Sequence, residues 1–260
     1  MEFRHKKRAQ VTIFIILAII IVIGVSAYFL LFYNGVNVSK TIKSDPAQYI
    51  HDCAKDNANL FLDNVLAHGG VFYNELSDWE FLSFNNTKVL LLCYTNETKK
   101  NCINRHPLLE LEIEKKLTSF LKPKIETCFS EVIDALKPGV VSEGSMNFSL
   151  DVIKGKILFY IEKPITIASG EESTSFRRFD TEVSSNIYEL LDVQNMIITR
   201  EVSCDCQDNN CNADLGKINL DYPQLITARF MTEKHEKIYT LTSSLNKNKF
   251  SFAVRNCVNG

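Results

Sequence analysis

Almost every signature of a known chemistry is missing from this 260-residue chain. No Gly-x-Ser-x-Gly elbow, His-Glu-x-x-His helix or phosphate-cradling glycine loop occurs, so the commonest hydrolase, zinc-protease and nucleotide-loop signatures are absent. The five histidines (His5, His51, His68, His106 and His235) stand far apart, and there is no Cys-x-x-Cys pair. Internal repeats and low-complexity tracts are lacking, which argues against a solenoid or a long disordered tail. A net excess of positive charge is found only at the N-terminus. Residues 1–10 hold Arg4, Lys6, Lys7 and Arg8 against Glu2, a local +3 in a chain of net charge −2, so the remainder carries −5. A mildly acidic body has no basic face to neutralise phosphates, and nucleic acid is not an expected partner. No cofactor motif is present and no cofactor is expected.

Charge is wholly absent from Val11 to Phe32, and this absence organises the rest. VTIFIILAIIIVIGVSAYFLLF would form a helix of roughly 33 Å, long enough to cross a hydrocarbon core. Residues 1–10 then read as a cytoplasmic basic segment and 11–33 as a transmembrane helix in contact with the lipid bilayer. The basic cluster before Val11, opposed only by Lys40 and Lys43 beyond it, places the N-terminus inside and residues 34–260 outside by the positive-inside rule. A cleaved secretory signal has an apolar region of about 7–15 residues. Here the run continues past Ser26-Ala27 through Phe32, which favours a retained anchor.

The segment Lys7-Arg8-Ala9-Gln10-Val11-Thr12-Ile13-Phe14 resembles the class III, pilin-like signal of archaeal surface proteins, in which a basic run and a small residue precede Gln and an apolar helix. The resemblance implies cleavage between Ala9 and Gln10 by a prepilin-type peptidase, with the helix left attached. Pilins carry Glu at the fifth position of the mature helix, where this chain has Phe14. That departure weighs against filament assembly through an N-terminal amine and Glu pair. With a downstream helix ending in Gly-Gly, the chain is also similar to uncharacterised archaeal single-pass membrane proteins, a likeness that implies location only.

Residues 34–45 are polar and turn-rich, and read as a linker. Asp45-Pro46 opens a helix as N-cap and first helical residue, and Gly69-Gly70 closes it. His68-Gly69-Gly70 reads as that helix end rather than as an oxyanion loop. Val89–Tyr94 is a short apolar run, expected to be a strand. Trp79, Phe81, Leu82 and Phe84 read as a core aromatic cluster. Pro107 opens a second helical region that Pro123 should break or kink into a pair, ended by Pro138-Gly139. Glu110, Glu112, Glu114, Lys115 and Lys116 mark its wet face. Strands are expected at 145–152 and 156–163 around an Ile153-Lys154-Gly155 hairpin, with 164–168 extending the second, and at 174–184. A helix should follow at about 185–202, then a meander of 225–232, 237–244 and 249–258. His235-Glu236 falls at a hairpin turn, where exposure is expected. The fold class is therefore α+β: an N-terminal transmembrane helix followed by an exported domain (46–260) with an antiparallel sheet and packed helices, stapled by disulfides. Residues 46–140 and 141–260 could form a helical and a strand-rich lobe.

All eight cysteines (Cys53, Cys93, Cys102, Cys128, Cys204, Cys206, Cys211 and Cys257) follow the apolar run, as a disulfide framework on the oxidising side requires. Cys53 and Cys128 lie on apolar helix faces and are candidates to bridge them. Cys93 and Cys102 flank a short polar loop and are candidates for a local staple. The other four would supply two more bonds. Metal is the alternative at Cys204-x-Cys206-x4-Cys211, but no histidine is near. Asp208, Asn210, Asn212 and Asp214 alternate as calcium-loop oxygens do, yet Ala213 replaces the turn glycine and Asn219 the bidentate Glu, so a disulfide-pinned turn is the simpler reading. Four sequons, at Asn37, Asn85, Asn96 and Asn147, suit an exported, glycosylated surface. The expected role is non-enzymatic: a membrane-anchored structural or interaction protein with surface-protein partners. A pilus-like filament subunit is one alternative. An extracytoplasmic hydrolase or carbohydrate-binding module is the other, and a deep polar pocket with clustered acids would favour it.

Overall fold

The computed structural model describes residues 19–22, 45–137, 139–169, 172–206, 213–234 and 236–257. The expected span 11–33 lies outside these residues apart from Ile19–Val22, which are helical and exposed. No helix among the described residues is long and apolar enough to cross a membrane. Ala9, Gln10 and all of the linker except Asp45 also lie outside them.

Helix α1 spans Pro46–Leu66, with the Asp45 side chain accepting from the Gln48 N–H at 3.0 Å. Ile50, Cys53, Ala54, Ala58, Phe61, Leu62 and Val65 recur at three- and four-residue steps and are buried, the stripe a core-facing helix needs. After it, Gly69 (φ +82°) and Gly70 (φ +98°) turn the chain back, and the Gly70 N–H reaches the Val65 carbonyl at 3.1 Å. This is the glycine-terminated helix end that the sequence suggests.

Helix α2, Leu109–Leu136, is one continuous helix of 28 residues with Pro123 inside it, not a broken pair. Pro123 deprives the Ser119 carbonyl of its donor, but both residues are exposed, so water can take the donor's place. The buried residues Leu109, Ile113, Leu117, Leu121, Ile125, Phe129 and Ile133 fall every fourth position. At 100° per residue each such step turns the stripe by about 40°, so it winds around α2 instead of facing one partner. The early turns meet the end of α1 around Gly70, and Phe129 meets Phe179 edge-on at 4.9 Å.

Two sheets complete the domain. The first has the order β1–β2–β11–β10–β9, where β1 is Phe81–Phe84, β2 Thr87–Tyr94, β9 Leu225–Met231, β10 Lys237–Ser243 and β11 Lys249–Arg255; the short β3, Ile103–Asn104, pairs with β2. All pairs are antiparallel except β2–β11, which is parallel, where a wholly antiparallel sheet was expected. The unbroken VLLLC of β2 follows from burial on both faces. Leu90 and Leu92 enter the main core, while Val89 and Leu91 join Ile238 and Ala253 in a smaller cluster on the opposite face.

The second sheet is antiparallel and built on one long strand, β6, Lys156–Ser169. Its first half pairs with β5 (Asn147–Ile153) and β8 (Thr181–Ser184), its second with β4 (Val140–Glu143) and β7 (Glu172–Arg178). The register slips between Glu162 and Ile165, across Pro164. The expected strand 174–184 is split at Phe179-Asp180, because the Asp180 carboxylate takes the Ile161 N–H at 3.0 Å and Phe179 turns into the core. Helix α3, Ile187–Val202, and helix α4, Leu215–Asp221, follow, the latter unanticipated in the sequence. One hydrophobic cluster takes residues from both sides of position 140.

Two further expectations fail. Trp79 is 46% exposed, its ring lying against His106 at 4.6 Å, and Phe84 packs at a tilt against Phe230 at 5.1 Å on the outer face of the first sheet, so these aromatics do not form one core cluster. Glu236 is buried and accepts from Arg255 at 2.8 Å instead of lying exposed at a turn; His235 lies outside the described residues.

Candidate functional site

Helix α3 is buried along much of its length, and its last turn carries a buried charge. Glu201 falls in phase with Leu190, Gln194, Ile197 and Ile198 and is completely buried. Lys237 lies on β10 in phase with Tyr239 and Leu241 and meets it. The Lys237 ammonium donates to both carboxylate oxygens at 2.9 and 2.7 Å, and the Tyr239 hydroxyl donates to one of them at 2.5 Å. Asn256 donates to the Glu201 carbonyl at 2.7 Å and its own side-chain oxygen accepts from the Cys102 N–H at 2.8 Å. A buried carboxylate so fully partnered ties α3, β10 and the C-terminal segment into one position. Burial first, then the charge and hydrogen bond of Glu201, hold the Tyr239 hydroxyl protonated well above the ordinary phenol range, with Arg229 acting in the opposite direction.

Arg229, on β9 opposite Tyr239, connects this network to a cavity of about 660 Å³ between α3, α4 and β9. Arg200, Lys217 and Arg229 supply three cations to its lining against one acid, Asp214. Asp214 already accepts the Lys217 N–H at 3.0 Å as the cap of α4. Met196, Leu215 and Ile218 form the apolar part. The Arg229 guanidinium lies close enough to the Tyr239 hydroxyl to favour its ionisation, while its Nη1 is buried with no hydrogen-bond partner.

A second, smaller cavity of about 90 Å³ lies between the start of α2 and α3, lined by His106, Glu110, Tyr188, Asp192 and Gln194. His106 is buried, with Nδ1 at 3.3 Å from Glu112 and Nε2 without a partner. The Tyr222 hydroxyl donates to Asp192, and that hydrogen bond with burial pushes the phenol up to about 12.

Of the residues singled out in the sequence, six cysteines are joined in described pairs: Cys53–Cys128, Cys93–Cys102 and Cys206–Cys257. Cys204 is also disulfide-bonded, and Cys211 lies outside the described residues. A thiolate zinc site at Cys204 and Cys206 is thereby ruled out. Of the calcium-loop set only Asp214 is described, and no group of three or more His, Cys, Asp or Glu among the described residues is arranged to hold a metal ion. Asn85 is exposed in the β1–β2 turn, which it shares with Asn86 in left-handed conformation (φ +48° and +62°). Asn96 is exposed and accepts from Arg255 at 3.2 Å; Asn147 is exposed at the first residue of β5; Asn37 lies outside the described residues. His51 and His68 are spent on Thr181 and on the Lys88 carbonyl, so with His106 they form no cluster.

Reading the sequence missed Glu201, Lys237 and the three cavity cations. For the first two there was a signal: a charged residue in the apolar phase of a helix and another in the apolar phase of a strand. For Arg200, Lys217 and Arg229 there was none, because three separate elements bring them together. Compared with family models, with curated proteins and with solved structures, the chain matches none.

Proposed function

We propose that this chain is a membrane-anchored cell-surface protein that acts by binding, with residues 11–33 as its tether and the disulfide-stapled α+β body displayed outside. The observation that carries the reading is that every described cysteine is bonded. A reducing compartment would not sustain such a set, and the basic N-terminal flank of the apolar run points the body the same way. Binding is favoured over glycoside hydrolysis by the charge of the larger cavity. Hydrolysis of that kind needs two facing carboxyl groups, and this cavity presents three cations. The test is protease treatment of intact cells expressing the full chain. Release of a body fragment, held together until reduction, is expected; a body protected until the cells are lysed overturns the proposal.

A further inference from the structure

We infer that the cavity between α3, α4 and β9 is a binding site for a small organic carboxylate with an apolar body. The inference deepens the binding role proposed above, but its chemistry is independent of the compartment.

Charge is the first argument. The body as a whole is acidic, yet this concavity gathers Arg200, Lys217 and Arg229 around a single carboxylate that is already engaged as a helix cap. Concave walls of low polarisability focus such a field and raise the local concentration of anions. The second argument is the unpartnered Arg229 Nη1. A guanidinium whose Nη1 finds no acceptor is under-partnered, and an anion against the part of the group that lines the cavity would offset that cost. Ordered water is the plain alternative, but water leaves the excess of positive charge in place. The third argument is size and lining. About 660 Å³ lies within the range of roughly 300–1,000 Å³ typical of organic-ligand sites, far more than an inorganic anion needs. Met196, Leu215 and Ile218 offer that excess volume an apolar wall. A planar carboxylate suits a guanidinium partner such as Arg229, with Arg200 and Lys217 neutralising charge at the rim.

The test uses the full chain in lipid nanodiscs, titrated calorimetrically with phenylacetate, with its neutral isostere phenylacetamide, and with sulfate, after subtraction of empty nanodiscs. Saturable binding of phenylacetate is expected, with phenylacetamide and sulfate each weaker by about 10- to 100-fold. The Arg229→Gln variant should lose a similar factor. Because Arg229 also contacts Tyr239, the exposed pair Arg200→Gln/Lys217→Gln provides a second variant that leaves the interior untouched, and it too should weaken phenylacetate. Equal binding of phenylacetate and phenylacetamide would reduce the site to an apolar hollow. Equal binding of sulfate would reduce it to an anion patch. Either result, no saturable phenylacetate binding, or variants indistinguishable from the native chain overturns the inference. Protease access in cells does not depend on any of these results, so the two proposals fail separately.

Discussion

Removing the Cys53–Cys128 bond, as Cys53→Ala with Cys128→Ala, should be the most damaging change to any of the described staples. The bond closes a loop of 75 residues between the first turns of α1 and the last turns of α2. In the chain-entropy relation such a loop confines the unfolded chain by about 4.5 kcal/mol, and the nested Cys93–Cys102 bond shortens it enough to remove only about 0.1 kcal/mol. The Cys206–Cys257 bond, with a separation of 51, is worth about 4.1 kcal/mol on the same relation, and Cys93–Cys102, with a separation of 9, about 2.6 kcal/mol. Packing works the other way. Cys93 and Cys102 are fully buried, so their truncation adds a small cavity cost of about 1 kcal/mol. That is not enough to invert the order. Urea unfolding without reductant measures the difference: at a slope of about 2–3 kcal/mol per M, the midpoint should fall by roughly 1.5–2.3 M. A loss under about 1 kcal/mol would refute the reasoning, as would a greater loss from the nine-residue bridge, since both would mean that the unfolded chain is not what this bond constrains.

The buried ion pair makes a second prediction. Glu201→Gln should cost about 3–5 kcal/mol in the same assay, because the Lys237 ammonium loses the carboxylate 2.7 Å away, whereas Glu201→Leu with Lys237→Met and Tyr239→Phe, which leaves neither a charge nor the phenol unpartnered, should recover more than half of that loss. Gly69→Ala should destabilise by about 1–3 kcal/mol, since φ is +82° and an added Cβ would lie 2.7 Å from the Leu90 Cβ; an unchanged melting temperature would show that the turn rearranges freely. Alkali should lower the stability of the body. The phenols of Tyr49, raised by burial and then by Glu131, and of Tyr222, raised by its hydrogen bond to Asp192 and then by burial, both ionise near 12 in the folded chain against 10.0 ordinarily. The folded state therefore holds these protons more tightly. Their contribution is intact below about pH 10 and is lost as pH rises toward 12, and Tyr222→Phe should flatten that decline in a pH series of unfolding curves.

Local physics accounts for what the sequence made legible. Asp45-Pro46 and Gly69-Gly70 delimit α1 because caps and positive-φ turns are decided by neighbours in the chain. Cys53 and Cys128 were readable as a pair because each sits on the apolar stripe of its own helix. Pro123 misled because its effect depends on which face it occupies, and a proline on the wet face leaves a carbonyl that water can satisfy. The parallel β2–β11 pairing joins residues about 160 positions apart, and no periodicity carries that information. The 174–184 run has no glycine or proline inside it, and the bond from the Ile161 N–H to Asp180, a tertiary contact, marks where it divides.

The same distinction explains why the cavity was invisible and why it can nonetheless be a prepared site. Its cations come from α3, α4 and β9, so no motif spans them. Yet the end of α3 that carries Arg200 is among the most firmly held places in the domain. Glu201 is fixed by Lys237, Tyr239 and Asn256; the Val202 carbonyl accepts from Asn101 at 2.9 Å; and Cys206, four residues on, is bonded to Cys257. Arg229 is placed from the other side by the pairing of β9 with β10, where it lies opposite Tyr239. A site whose backbone frame is already fixed loses little main-chain freedom when a ligand arrives, and more of each contact then appears as affinity. Buried ion pairs add little net stability compared with apolar residues of the same volume. The Glu201–Lys237 pair therefore makes better physical sense as a device that positions the cavity wall than as one that holds the fold together. On that account, Glu201→Leu with Lys237→Met and Tyr239→Phe should leave the body folded while weakening phenylacetate binding.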